Sequence, residues 1–498
     1  MSSALPSIAL TVRDEGCTGI HAPDPRIALA RELAQVAACA PGTPVVVLLS
    51  GGDSPLARRS MVAEAPLAIL HASGGSTRLA TSSGTWTLDA DPFAALDALL
   101  TTLPADSPPQ LFGLIGYEAA RRIERLPGTT TDDVGFPDLF FLIPSLLHVH
   151  NRQSAGGVRR IAFELEVAGE RMLPMGAGDV ARVFGDTQPA ACTDAIRGEA
   201  ASAPHTGSSF THAVSSFTHT VSSFTRATYE HAVARTIDYI HAGDVYQVNL
   251  SQRFSFPFAA HPFERWLALF DRNAAPYYAY VDTGRHQVLS TSMERFLSVR
   301  GAEVVTQPIK GTRARGTTPD EDAARADELR TSAKDDAELS MIVDLMRNDL
   351  GHVCRPTSVV VRAHKLLDSW RNVHHLSSIV EGVLRDEVSI GEVLRATFPA
   401  GSITGCPKIR AMEIIDELEP VVRAAYTGSI GCLGPARDME LSVAIRTAIV
   451  HDGVCHVSVG GGIVRDSLPA DEYTETLAKG STLFDVLGGG MPGEASDA

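Results

Sequence analysis

Nowhere in the 498 residues do eighteen apolar residues run together, so the sequence offers no membrane-spanning helix. The N-terminus, MSSALPSIALTVRDEGC, lacks both a basic leader and a long apolar core and is read without a signal peptide. Cysteine is sparse: seven, at 17, 39, 192, 354, 406, 432 and 455, an odd number with no CxxC pair. That spacing excludes a cysteine zinc site and a disulfide framework and fits a reducing, cytoplasmic setting. Positive charge is also short. Lys and Arg number 43 against 59 Asp and Glu, for a net charge of −16. This argues against a nucleic-acid or anionic-membrane surface, while leaving room for a local basic pocket. What remains is 44% hydrophobic and 20% charged, enough apolar side chain to core two or three average domains or one large composite one.

Four segments differ in texture. The first, 1–186, reads mainly as short strands between Gly, Pro and Asp punctuation, at Ser7–Val12, Thr43–Leu49, Leu67–Ala72 and Phe140–His148. Helical spacing appears there at Pro25–Ala38 and Pro92–Leu103. A linker, 187–224, is rich in Ala, Thr, Pro and Gly and leads into the repeats SSFTHAV, SSFTHTV and SSFTRAT, which start at 208, 215 and 222. One large apolar residue per unit and poor helix formers make this a duplicated helix entrance rather than a coiled coil. His212 and His219, seven apart within it, read as loop residues before they read as metal ligands. The third segment, 225–488, opens with a helix from Thr225 to Ala242 whose stripe is Tyr229, Val233, Ile237 and Ile240. Strands and helices then alternate to a closing helix at Tyr473–Val486, and 489–498 reads as a frayed tail.

Chemistry concentrates in the third segment. TQPIKGTRAR (306–315) sets Lys310 in a β-like run just before Gly311, where the backbone can bend close to a ligand. Glu294, in STSMERF, precedes it by sixteen residues on a neighbouring stretch. On the closing helix Glu472, Glu475 and Lys479 share one face, and Glu338 lies on another helix amid Leu339, Ile342, Val343 and Met346. Solvated ion pairs would explain these carboxylates singly; together they suit a hard divalent cation. Arg446 lies in AIRT, inside an apolar run read as the strand Ala444–Val450, and its fork matches a carboxylate. Tyr426 precedes another strand entrance, and Gly460, Gly461 and Gly462 end a strand with exposed N–H groups. PAGSITGCPK places Ser402, Thr404 and Gly405 in a tight loop before a helix starting near Pro407, a place suited to an anion. His375 could act as acid or base, or only orient a ligand. Near the N-terminus, LSGGDS (49–54) resembles the SGGxDS loop of ATP pyrophosphatases. It is one residue short and has no second motif, so it reads as a turn after a buried strand.

Seven blocks in order resemble the chorismate-utilising enzymes: anthranilate synthase and aminodeoxychorismate synthase component I, isochorismate synthase and salicylate synthase. They are GDVYQVNLSQRF, PIKGTRARG, AELSMIVDLMRNDLG, HLSSIVEG, PAGSITGCPKIRAMEIIDELE, AIRT and GGGIVRDSLPADEYTETLAKG. LFGLIGYEAARRIERLP extends the likeness, more faintly, to the N-terminal portion. The resemblance implies an α+β fold of two large antiparallel sheets packed as a sandwich with helices outside, and 1–186 woven into it. Anthranilate, isochorismate and salicylate enzymes usually read PIAGT where aminodeoxychorismate synthases of the lysine-using type read PIKGT, as at Lys310. Gln247 stands where the water-using enzymes place a lysine. The implied reaction is amination of chorismate at C4 by ammonia, through a covalent bond to Lys310, with Glu294 as acid. The implied cofactor is Mg²⁺, on Glu338 and Glu475 with Glu472 close by. Arg446, Tyr426, Gly461 and Gly462 would hold the enolpyruvyl carboxylate, and Thr404, Gly405, His375 and Lys479 would complete the substrate site. No glutaminase block GxCxGxQ is present, so ammonia is expected from a separate glutamine amidotransferase subunit. Two departures stand out: Met293 replaces the family's Pro before the acid, and Leu339 replaces a His. The alternatives are anthranilate synthase component I and a non-catalytic paralogue holding an amino acid near Ser50.

Overall fold

The computed structural model describes residues 5–18, 42–51, 56, 58–105, 107–151, 157–184 and 220–489. The helix expected over 25–38, residues 52–55 of the SGGDS turn, His212, His219 and most of the linker and tail lie outside them.

Two long strands, Arg59–Ser73 and Leu139–Asn151, form the spine. They pair antiparallel with a register shift between Pro66 and Ala68, where Pro66 faces Pro144 and Ala65 takes φ 52°. Proline cannot donate to a ladder, so the pair bends there and each half enters a different sheet. From 59–64 the ladder runs through Val45–Leu49, Tyr277–Asp282, Gln287–Ser292, Thr447–His451 and Val454–Ile463 to Gln247–Pro257. From 139–142 it runs through Leu111–Ile115, Ser429–Gly434, Asp438–Val443, Arg295–Arg300 and Glu303–Gln307 to Val373–Val383. That last strand also takes Ile309–Ala314 and Val360–Ser369. The α+β class with large antiparallel sheets is as expected. The two sheets are joined through the bent pair into one network of 23 strands among the described residues.

The cores follow the same division. One collects Phe93, Phe112, Phe140 and Phe141, the other Phe254, Trp266, Tyr280 and Phe484. Each such side chain contributes roughly 2–3 kcal/mol on burial. The helix Arg226–Ala242 starts at Thr225, whose hydroxyl accepts from Thr228 N–H in a capping box, and stops at Gly243 with φ 85°. Elements not expected include the helices Pro262–Arg272 and Ala177–Phe184, the hairpin of Ser76–Thr81 with Gly84–Leu88, and the strands Leu111–Ile115, Val158–Val167 and Asp438–Val443. Among the described residues no helix is long and apolar enough to cross a membrane.

Two crossings between the sheets matter most. The chain passes from Gln287–Ser292 to Arg295–Arg300 through Met293 and Glu294, and from Asp438–Val443 to Thr447–His451 through Ala444, Ile445 and Arg446. They cross side by side: Val443 N–H donates to the Glu294 carbonyl and Thr291 N–H to that of Arg446, each at 3.1 Å. The strand expected over Ala444–Val450 is therefore broken. Arg446 takes φ 52°, a left-handed conformation that cannot continue a ladder and turns the chain into the other sheet.

Candidate active site

The seam between the sheets gathers the expected residues. Pro308 interrupts the chain between Glu303–Gln307 and Ile309–Ala314, and the register then slips between Lys310 and Thr312. Gly311 makes this bulge with φ 67°, and a Cβ there would lie 2.8 Å from Leu329 Cδ1 and 2.9 Å from Asp335 Oδ1. Only glycine meets both demands, and the bulge re-aims its neighbours. The partly buried Lys310 donates from Nζ to the carbonyl of Ser402 at 2.8 Å. Burial draws its pKa below 10.5 and Lys479 acts the same way, while Glu338, Glu294 and Glu475 oppose.

Glu294 is 3% exposed, and Ser402 Oγ donates to its Oε1 at 2.5 Å. Burial pushes its carboxyl up from 4.5 to about 7, against the Ser402 hydrogen bond and the charge of Lys310. Met293 packs into the second core, and Glu294 still reaches the site from the crossing. Leu339, the other departure, is fully buried in the first core.

Ser402 belongs to the short turn Gly401–Ile403, which leads to Gly405–Cys406, paired with Gln247–Val248. Gly405 has φ 144°, and a Cβ on it would fall inside the van der Waals shell of Gln247 O. Thr404, fully buried, donates from Oγ1 to Ala400 O at 3.1 Å and accepts Asn249 N–H on its carbonyl at 2.7 Å. The helix Lys408–Leu418 begins directly after Pro407, as expected.

Arg446 donates to the carbonyl of Lys479, and burial lowers its pKa below the usual guanidinium value. Buried Tyr426 lies in its field, beneath Arg423, which stacks 4.8 Å from the ring centre of Tyr117 and 6.0 Å from that of Tyr426. Tyr426's loop is tied to the crossing through Thr427 N–H to Ala444 O and Ala444 N–H to Gly428 O. His375 is 4% exposed, with Nδ1 at 2.9 Å from Thr312 Oγ1 and 3.2 Å from Gly311 O. Donation to that carbonyl leaves Nε2 a lone-pair acceptor, buried and without a partner. Burial holds the ring's pKa down at about 4, with Arg446 and Lys479 adding to the effect.

The acidic residues come from the helices Ala333–Gly351 and Pro469–Leu487. Gly461 lies against them: a Cβ there would sit 3.2 Å from Glu472 Oε2, 3.6 Å from Lys479 Nζ and 3.7 Å from Glu475 Oε1. A Cβ on Gly462 would collide with the Gln247 amide. Glu472 accepts from Ser467 Oγ at 2.6 Å, and Lys479 bridges Glu475 Oε1 at 2.6 Å and Gly460 O at 3.0 Å. Burial raises the pKa of Glu338 and Glu472, and the charge of Glu475 raises each further. Burial would raise Glu475 as well, but Lys479 holds that carboxyl below 4.5.

Among the described residues, no three His, Cys, Asp or Glu side chains are gathered as a metal site. The three carboxylates share one field, but Lys479 occupies Glu475. As donors they are hard oxygens, the chemistry that Mg²⁺ takes. Ser402 was legible only as part of an anion loop; its contacts with both Lys310 and Glu294 were not. Gln247, 1% exposed, has a buried Oε1 with no partner. A separate cavity of about 790 Å³ is lined by Ser50, Met61, Tyr277, Arg295, Ile430 and Glu440. None of the expected catalytic, substrate or metal residues lines it.

Comparison with known proteins bears on this arrangement. Residues 52–485 match the family model described as chorismate binding enzyme. Aminodeoxychorismate synthase component 1 of Bacillus subtilis (strain 168) is 33% identical over 432 residues, covering 85% of this chain and 87% of that protein. Anthranilate synthase component 1 of Pseudomonas putida is 38% identical over 380 residues, covering 75% of this chain and 74% of that protein. Among solved structures, anthranilate synthase component I from Streptococcus pneumoniae TIGR4 superposes with a TM-score of 0.69 at 30% identity, covering 86% of this chain and 92% of that one.

Proposed function

The chain belongs to the chorismate binding enzymes, and from that premise we propose that it aminates chorismate at C4 with ammonia to give 4-amino-4-deoxychorismate, a precursor of p-aminobenzoate and folate. The observation that carries this reading is Lys310, its amine desolvated and held beside an acid whose pKa is raised to about 7. To be neutral near pH 7.4, a lysine must bind its proton roughly a thousandfold more weakly than in water, a difference on the order of 4 kcal/mol. Burial supplies the direction.

Mg²⁺, held by Glu338 and Glu475 with Glu472 beside them, would supply a countercharge for the ring carboxylate. Arg446, Tyr426 and the N–H groups of Gly461 and Gly462 hold the enolpyruvyl carboxylate, with Lys479 nearby. Thr404, Gly405 and His375 line the ring, and the unpartnered Nε2 of His375 accepts from a hydroxyl of the substrate. Glu294 gives its proton to the departing 4-hydroxyl as Lys310 Nζ attacks C2. Ammonia then enters at C4 and expels the lysine. The ammonia comes from a separate glutamine amidotransferase subunit.

Relatives named anthranilate synthase are as similar as those named aminodeoxychorismate synthase, so the rival is amination at C2 with loss of pyruvate. A mass-resolved product assay with chorismate, Mg²⁺ and ammonium separates the two. Aminodeoxychorismate from the wild type, lost in Lys310→Ala, is expected. Anthranilate with free pyruvate overturns the proposal.

A further inference from the structure

We propose that Ser402 is a positioning residue that holds the amine of Lys310 and the carboxyl of Glu294 apart, so that each works on the substrate instead of on the other. Its role in turnover rests on the amination reading; the contacts do not. Its carbonyl accepts from Lys310 Nζ at 2.8 Å and its hydroxyl donates to Glu294 Oε1 at 2.5 Å. No ion pair joins Lys310 to Glu294 among the described residues, although each feels the charge of the other. Ser402 is itself fixed. It is 4% exposed, and the carbonyl of the next residue, Ile403, accepts from Arg423 Nη1 at 3.0 Å. Arg423 is in turn locked to Glu419 at 2.6 Å.

The two bonds have different chemistry. A carbonyl can only accept, so it takes an N–H of Lys310 and leaves the rest of the amine free. A hydroxyl can donate, so it occupies the carboxyl oxygen that a lysine would otherwise take. Loss of the Ser402 bond alone would make Glu294 hold its proton more tightly. Without the hydroxyl, however, its Oε1 is open to Lys310 Nζ, and close contact with the amine outweighs that effect: the proton passes to Lys310 and an ammonium–carboxylate pair remains. That one transfer removes both the nucleophile's lone pair and the acid's proton. Glu338, Glu475 and Lys479 also act on the amine from the two acidic helices, and a change at Ser402 leaves all three in place.

The test is the pH dependence of Lys310 acylation by acetic anhydride, read by peptide mass spectrometry without chorismate. In Ser402→Ala the midpoint is expected to rise by about one pH unit or more, as for a lysine gaining a close carboxylate. Ser402→Thr restores the wild-type midpoint. In a Glu294→Gln background, Ser402→Ala moves it no further. A midpoint unchanged in Ser402→Ala, or shifted equally in the Glu294→Gln background, overturns the proposal. Should the alanine variant not fold, Ser402→Cys, close in size and a weak donor, takes its place with the same outcomes. A failed amination reading would appear in the product assay and leave these midpoints as they are.

Discussion

Replacing Glu294 by glutamine should make the protein more stable in mild alkali while removing its acid. The carboxyl titrates at about 7 in the folded chain against 4.5 for the ordinary group. Between those values the folded state binds more protons than the unfolded one, so the wild type loses stability as pH rises through that window. The full loss is about 3.4 kcal/mol, since each tenfold difference in proton affinity is worth roughly 1.36 kcal/mol. Integration gives about 0.8 kcal/mol already lost at pH 5 and about 3.3 kcal/mol at pH 8. Gln has no such loss, and its amide oxygen can still accept from Ser402. The variant's advantage over wild type should therefore grow by about 2.5 kcal/mol between pH 5 and pH 8 in urea denaturation series. A difference that stays flat across that range would refute the argument that burial raises this carboxyl.

Gly405→Ala should cost about 3 kcal/mol or more, or abolish folding, because φ 144° and the Gln247 carbonyl both exclude a Cβ; denaturation reads it, and a loss below about 1 kcal/mol would contradict it. Gly461→Ala should fold nearly normally, since its new Cβ meets nothing closer than 3.2 Å. It should nevertheless raise KM for chorismate about tenfold, equivalent to about 1.4 kcal/mol, and an unchanged KM would show that the glycine face is not used. The His375 ring should titrate near 4 by NMR, so it adds no limb to the rate profile above about pH 5; a midpoint above about 6 would contradict its burial.

Much of the site was legible because its residues sit in short contiguous blocks. The Pro308 break and the Gly311 bend announced the placement of Lys310, and the i, i+3, i+7 spacing put Glu472, Glu475 and Lys479 on one helix face. The local pattern misled at Arg446, where an apolar run concealed a left-handed residue between two strands. It missed Pro262–Arg272, whose mixed PFERWLALFDR lay in a strand-dense region. The role of Ser402 depends on contacts with residues 92 and 108 positions away, which no spacing along the chain reveals. The bent pair that joins the two sheets is equally a matter of distant partners.

While the chain is being made, Leu111–Ile115 must wait for its partner Ser429–Gly434. At about 5–20 residues per second, synthesis needs on the order of 15–60 s to reach the second strand after finishing the first. During that interval LFGLI, apolar at every position but its glycine, has an open edge toward its later partner. Such an edge invites wrong partners for as long as it stays open. Arg446 and the closing helix Pro469–Leu487 are made later still.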